Sequence, residues 1–410
     1  MITIEKDGLK VPIKAWIESV QSVEESCLEQ AYHLASLPFV FKWVALMPDT
    51  HTGMGMPIGG VIATDGVIIP NAVGVDIGCG MGFIGTDLPA VLLKETRNGN
   101  GSLVQGIVGD LLRSIPVNFA HHQKKQACRT LDRAQEEMEK YAAQPELVEQ
   151  IEAGYYQVGT LGGGNHFIEL QEDDQGMLGI MVHSGSRNFG KRICDAFHME
   201  ARQLNAGSGS LVPDEWRLAY LPLDSVSGQQ YIHWMNLALD FAQENRARMM
   251  AVAQNVLERW TAKYLGTAFN YTEHINCHHN YASLERHFGK DVWVHRKGAT
   301  RALSGELAVI PGAMGSYSYV VEGLGNQDSF CSSSHGAGRR YARKTAMEKF
   351  TAEQVMLDLK EQNVILGKHN KADVAEESRF AYKDIDEVMV QQRDLVRQVK
   401  QLKTIGVIKG

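Results

Sequence analysis

Phe39-Val40-Phe41-Lys42-Trp43-Val44-Ala45-Leu46, then Gly60-Val61-Ile62-Ala63, Gly66-Val67-Ile68-Ile69 and Gly80-Met81-Gly82-Phe83-Ile84-Gly85, is the stretch whose reading decides the fold. These short apolar runs, rich in Val, Ile and aromatics and broken by glycine, read as successive strands. A helical tract at about residues 121–152, rich in Lys, Glu, Gln and Ala, follows and is expected as a surface insertion. Strands return near 164–184, with helices near 191–206 and 227–264. In the latter, Ile232, Leu237, Leu239, Phe241 and Met249 mark a buried face. Strand-like runs recur at 291–296, 306–311 and 317–322, and helices are expected near 339–363 and 384–401. Strands and helices do not alternate regularly, which argues against a doubly wound parallel sheet. With no tandem repeat and no low-complexity linker, the expectation is one α+β domain over residues 1–410.

The run Cys331-Ser332-Ser333-Ser334-His335-Gly336-Ala337-Gly338-Arg339-Arg340 places one imidazole in a loop of hydroxyls, glycines and arginines. Backbone N–H groups, a following helix N-terminus and the two arginines would trap an anion. A neutral His335 there suits nucleophilic attack on a nucleotide α-phosphate. The plain alternative is a Gly/Ser turn with an incidental histidine.

A second constellation supplies metal ligands. Asp76 and Cys79 lie three apart in Gly74-Val75-Asp76-Ile77-Gly78-Cys79-Gly80, where the glycines allow both side chains to converge. Three further sites occur in Gly164-Asn165-His166-Phe167, Val182-His183-Ser184-Gly185 and Cys277-His278-His279-Asn280. One thiolate, one carboxylate and three imidazoles fit Zn²⁺ or Mn²⁺, in one site or, with a bridging thiolate, two. Each residue also has an ordinary reading. Cys79 can be a buried hydrophobe, Asp76 a turn carboxylate, His166 a core histidine, His183 a strand end, and His278 and His279 surface residues.

Taken together with Phe41 to His51, Gly163 to Glu169, His183 to Arg187, His295 to Ala299, Ser334 to Arg339 and the terminal Val407-Ile408-Lys409-Gly410, these blocks resemble the RtcB family of GTP-dependent RNA ligases, also called tRNA-splicing ligases. The resemblance runs nearly end to end. It implies a domain of packed, mostly antiparallel sheets flanked by helices. It also implies two Mn²⁺ ions bridged by Cys79, with His166 and His183 on one and Asp76 and His279 on the other. His335 is implied as the guanylylated residue, in a nucleotide-binding run with Gly336, Ala337 and Gly338. Asn165 is implied at nucleotide phosphate, with Phe167, Glu169, Ser318, Tyr382 and Lys409 around the guanine and ribose of GTP. Arg187, Lys297 and Arg339 are implied on the transferring phosphates. Ala313 departs from the serine common in the family, and Thr50 and Ser333 also differ from the commonest residues.

The implied activity is RNA ligation, in tRNA splicing or RNA repair: 3′-phosphate or 2′,3′-cyclic phosphate ends are joined to 5′-hydroxyl ends through guanylyl-His335. The implied partners are tRNA halves or damaged tRNA or ribosomal RNA, with an accessory activator of guanylylation as a further partner class. Two alternatives are a metal-dependent end phosphoesterase that uses no GTP and a non-catalytic RNA-binding protein.

Net charge is −7, so RNA binding is expected to be local. Arg187 to Arg192, Arg296 to Arg301 and Arg339 to Lys344 adjoin the candidate site, whereas Lys124, Lys125 and Arg129 read as a solvated helix face. No apolar run approaches the roughly 20 residues that span a bilayer, and the N-terminus lacks a secretory pattern. The six cysteines are widely spaced with no CxxC pair, which suits free thiols and a cytoplasmic location.

Overall fold

The computed structural model describes residues 1–99, 101–141, 144–207 and 211–410. The opening apolar runs are strands, as read. Val40–His51 and Ile58–Thr64 form an antiparallel pair inside a six-stranded sheet, completed by Ile2–Ile4, Ile13–Ala15, Asn280–His287 and Lys290–Lys297. Gly80–Pro89 enters a second, eight-stranded sheet. There it lies between Tyr271–His278 and Met177–Ser184, followed by Phe167–Asp173, Val396–Lys409, Tyr317–Gly323 and Leu307–Ile310, with Ile365–Gly367 alongside. All pairings are antiparallel except Ile13–Ala15 with Val40–His51 and Ile365–Gly367 with Val396–Lys409. The result is an α+β architecture of mostly antiparallel sheets flanked by helices.

Helix Val226–Tyr264 packs along the second sheet and buries Leu237, Phe241, Met249 and Leu257. Ser225 caps it by accepting the Gly228 N–H at 3.0 Å. Burying a side chain such as Phe241 stabilises the fold by about 1.5–3 kcal/mol. Among the described residues no helix is long and apolar enough to cross a membrane.

Three expectations are corrected. The stretch expected to be helical at 384–401 is helical only over Ile385–Gln391, and Val396–Lys409 is a strand inside the second sheet. Its Lys, Arg and Gln favour helix in isolation, but β-branched Val396, Val399, Thr404, Ile405, Val407 and Ile408 fit the sheet. Lys400 pairs with Asp173 and Arg397 with Glu322 on the flanking strands, and Lys400 also reaches Glu273 on strand Tyr271–His278. The tract near 121–152 forms two helices, Arg129–Glu136 and Pro145–Gln157, and residues 142–143 lie outside the described residues. Leu131, Leu147, Ile151 and Tyr155 are buried with Phe241 and Phe189, so this tract carries core rather than lying on the surface. The helix expected at 339–363 splits into Arg343–Lys349 and Ala352–Glu361, because Thr351 and Gln354 form a capping box that starts a new helix.

Register places the chemistry at one end of the second sheet. Gly80 lies opposite both Ser184 and His278, and His183 lies opposite both Met81 and Phe167. The ladder Ala299–Arg301 with Ser332–Ser334 delivers His335 to the same end.

Candidate active site: a buried thiol, carboxylate and imidazole cluster

Backbone geometry brings the ligand-bearing turns together. Gly78 has φ +76°, and a Cβ there would sit 2.8 Å from the Ala242 side chain, so only glycine lets the Asp76–Cys79 turn press against the long helix. Gly185 plays the same part for Asp76, whose Oδ1 would lie 2.2 Å from an added Cβ. The His279 N–H donates to the Cys79 carbonyl at 2.8 Å, locking two of the segments to each other.

The five candidate ligands converge. Cys79 Sγ lies 3.3 Å from Nε2 of both His166 and His183. His183 Nε2 is 3.4 Å from His279 Nε2, and His166 Nε2 is 3.1 Å from Asp76 Oδ2. Ligand atoms held 2.0–2.3 Å from a tetrahedral ion are separated by roughly 3.3–3.8 Å, close to this spacing. Two groups share Cys79: Asp76–Cys79–His166 and Cys79–His183–His279, each with its ligand atoms within 4.8 Å of one another. The expected grouping put His166 with His183 and Asp76 with His279; by spacing, Asp76 stands with His166 and His183 with His279, and Cys79 Sγ is equally near His166 and His183. His183 and His279 come from the two sides of strand Gly80–Pro89 and face each other, whereas Asp76 and His166 sit on turns outside the ladder.

Electrostatics suit a cation. Burial, then the surrounding imidazoles, hold His183 and His279 well below the ordinary histidine range, so both are neutral donors. His183 Nδ1–H donates to the Asn165 carbonyl at 3.0 Å, which leaves Nε2 as the lone-pair nitrogen. Burial pushes the Cys79 thiol well above its usual range, and the Asp76 carboxylate adds to this. Burial alone would raise Asp76, but the His166 hydrogen bond and charge outweigh it and hold the carboxyl below its usual range.

Arg246, fully buried on the long helix, ties these segments from behind. It donates to Gly78 O at 2.8 Å, Ser184 O at 2.9 Å and Asn276 Oδ1 at 2.8 Å, and lies 3.1 Å from His278 Nδ1. Gly78, Ser184 and His278 each adjoin one ligand: Cys79, His183 and His279. Among the described residues Arg246 has no ion-pair partner.

Beside this cluster opens a cavity of about 320 Å³. Its lining includes Asn165, Phe167, Glu169, His183, His335, Gly336, Ala337, Gly338, Arg339, Tyr382 and Lys409, together with Ala313, Arg343 and Glu377. The His335 ring lies 4.8 Å from the His279 ring. Asp49, buried and without any role in the sequence reading, accepts both the His335 Nδ1–H at 2.6 Å and its backbone N–H at 3.0 Å. The loop around His335 is therefore held, not free. Ser332 to Ser334 are buried, and the Ala337 N–H donates to Pro311 O at 3.0 Å.

At the other end, buried Glu377 accepts from Lys409 Nζ at 2.7 Å and Tyr382 Oη at 2.8 Å, and pairs with Arg339. Burial would raise Glu377, but the Lys409 and Arg339 cations hold it below the usual carboxylate range. Glu169 differs: burial pushes it up to about 7, with Lys409 opposing.

Three expected contacts are placed otherwise. Arg339 spends its guanidinium on Glu377, Tyr382, Glu376 O and Tyr341 O, so it braces the cavity wall rather than presenting a free cation. Lys297 is buried and donates to Met54 O and Asn71 O. Ser318 lies behind the lining, accepting the Gly312 N–H at 3.1 Å. Arg187 stays beside the cluster, donating to Thr160 Oγ1 and Asn118 O and acting electrostatically on Asp76.

A fold that gathers one thiol, one carboxylate and three imidazoles beside a cavity bearing a carboxylate-oriented fourth imidazole defines a candidate metal enzyme. A family model described as tRNA-splicing ligase RtcB matches residues 30–410. The chain is 37% identical to "RNA-splicing ligase RtcB" of Escherichia coli K12, covering 97% of each chain. It is 32% identical to "tRNA-splicing ligase RtcB" of Thermococcus kodakarensis, over 94% of this chain and 92% of that one, and 30% identical to the protein of that name from Pyrobaculum aerophilum, over 98% and 95%. The chain belongs to the RtcB family of tRNA-splicing ligases.

Proposed function

We propose that this protein joins RNA ends bearing a 3′-phosphate or 2′,3′-cyclic phosphate to 5′-hydroxyl ends, in tRNA splicing or RNA repair, using GTP and a guanylyl group carried on His335. The observation that carries the reading is the Asp49–His335 pair at the cavity wall beside the Cys79 cluster. With Nδ1–H committed to Asp49, Nε2 carries the lone pair. It attacks the GTP α-phosphorus, forming a P–N bond as the bond to pyrophosphate breaks. The RNA 3′-phosphate then takes the GMP, breaking the P–N bond. The 5′-hydroxyl attacks the activated RNA phosphate, and GMP leaves.

Asp76, Cys79, His166, His183 and His279 fit two manganese ions with Cys79 shared, because both hard and soft donors are present at ligand spacing. When bound, such ions supply Lewis-acid stabilisation of charge on the transferring phosphates. The chain's own groups do the selecting. Glu169, ionised, accepts the N1–H and amino edge of guanine, a pattern adenine does not offer, while Phe167 and Tyr382 bound the base. Lys409 and Arg339 position Glu377 and Tyr382 in the same wall. A hydrolase acting on RNA ends without nucleotide has no use for this wall beside its imidazole, which is why the ligase reading is preferred.

The test is ligation of a 3′-phosphate RNA to a 5′-hydroxyl RNA with Mn²⁺ and either GTP or ATP. Joining with GTP and none with ATP is expected. Equal turnover without nucleotide would support end hydrolysis instead.

A further inference from the structure

The segment Pro116-Val117-Asn118-Phe119-Ala120-His121-His122-Gln123-Lys124-Lys125 has no part in the chemistry above, yet it borders the cluster. It is not the helix face read from sequence, since the helix begins only at Arg129. Its backbone is pinned. The Leu161 N–H donates to Pro116 O at 2.8 Å, Ala120 N–H to Val117 O at 3.0 Å, and His122 N–H to Tyr156 O at 2.9 Å. Arg187 Nη2 donates to Asn118 O at 2.5 Å. Asn118, at φ +57°, backs the glycine run that leads to Asn165 and His166: its Oδ1 would lie 2.4 Å from a Cβ on Gly163.

At the tip of this pinned turn the Phe119 ring is 99% exposed. A single exposed apolar side chain is ordinary on a protein surface. This one is set apart by its support and its neighbours. The turn is anchored at both ends, Arg187 joins it to the Asp76 side of the cluster, and exposed His121 and Lys124 flank it, Lys124 without an ion-pair partner among the described residues. An open aromatic face with an unpaired lysine in the same loop is what an unstacked nucleobase and its phosphates require.

We propose that Phe119 is a stacking platform for an unpaired base of the RNA end that enters the site, with Lys124 and His121 meeting the adjoining backbone. This rests on the RNA-joining reading above. The test uses the full chain and a fluorescein-labelled single-stranded RNA with a 3′-phosphate, its affinity measured by anisotropy without GTP. Phe119→Ala is expected to weaken binding about tenfold and Phe119→Trp to restore it. Val226→Ala, a distant side chain 76% exposed, is expected to leave affinity unchanged. In RNAs with a single abasic position, one position costs wild-type protein the same factor and costs Phe119→Ala nothing further.

Binding by Phe119→Ala within about twofold of wild type would overturn the proposal and leave the ring to a protein partner. So would a loss that Trp fails to restore, or an abasic penalty that simply adds to that of the variant. Guanylyl label on wild-type His335, measured separately, reports on the ligase reading itself. Absent label with Phe119-dependent RNA binding would fail that reading and keep the platform.

Discussion

Asp49 Oδ2 stands 2.6 Å from His335 Nδ1 and 3.0 Å from the His335 backbone N–H, so one buried carboxylate fixes both the ring and its attachment. The residues are 286 positions apart in sequence. This contact selects the tautomer in which Nε2 carries the lone pair, and in the proposed reaction it makes Asp49 a positioning residue.

Replacing Asp49 should therefore impair guanylylation without removing the nucleophile. Asp49→Ala is expected to slow label transfer from GTP by on the order of 10²-fold, as a misplaced reacting group does. Affinity for guanosine, measured by calorimetry, should stay near that of wild type. A parallel loss of guanosine affinity would assign Asp49 to general cavity shape instead.

If Glu169 reads guanine as proposed, recognition should depend on pH. Its carboxyl is raised to about 7 by burial, so it is protonated below that pH and ionised above it. Only the ionised form accepts both donors of the guanine edge. Affinity for guanosine, which carries no titrating phosphate, should rise as pH passes upward through about 7. Glu169→Gln should flatten that rise. A wild-type affinity constant from pH 6 to 8 would contradict the assigned role.

Metal uptake should expel a proton from Cys79. Burial and Asp76 keep the thiol protonated before a metal binds, whereas the ligand form is the thiolate. Titrating Co²⁺ in buffers of different ionisation enthalpy should show about one proton released per Cys79 bound, with a thiolate-to-metal absorption band. Cys79→Ser should lose the band. Its persistence would place the ion elsewhere.

Arg246 should couple the fold to the cluster. Arg246→Met leaves the Gly78 and Ser184 carbonyls without this donor, at about 1–3 kcal/mol each. Chemical denaturation should show that loss. The variant should also shift the Co²⁺ band, because Cys79, His183 and His279 lose their common anchor. A destabilised protein with an unchanged spectrum would make Arg246 purely structural.

The sequence made the strands around 40–46, 60–63 and 291–296 of the first sheet legible, though not Ile2–Ile4, Ile13–Ala15 or Asn280–His287, and it pointed to the clustered side chains because glycine marks places where only backbone fits, as at Gly78 and Gly185, and because Cys79, His183 and His279 carry uncommon chemistry. It hid the residues that act through distance. Asp49 ends an apolar strand and looks like a turn carboxylate, Arg246 lies among helix formers, and Glu377 sits in a polar stretch. Each gains meaning only from a partner far along the chain, 286 positions away for Asp49. Strand Val396–Lys409 was missed because its Lys, Arg and Gln are good helix formers whose charges find carboxylates across the sheet. The intramolecular partners of Arg339 and Lys297 were equally hidden: both are basic residues near the site, and both spend hydrogen bonds on the chain itself.

The proposed ligation requires a covalent guanylyl group at one nitrogen. Incubating the protein with Mn²⁺ and α-phosphate-labelled GTP should leave acid-labile, alkali-stable label on the chain, mapped to His335 and absent from His335→Ala. Label retained by His335→Ala would contradict it.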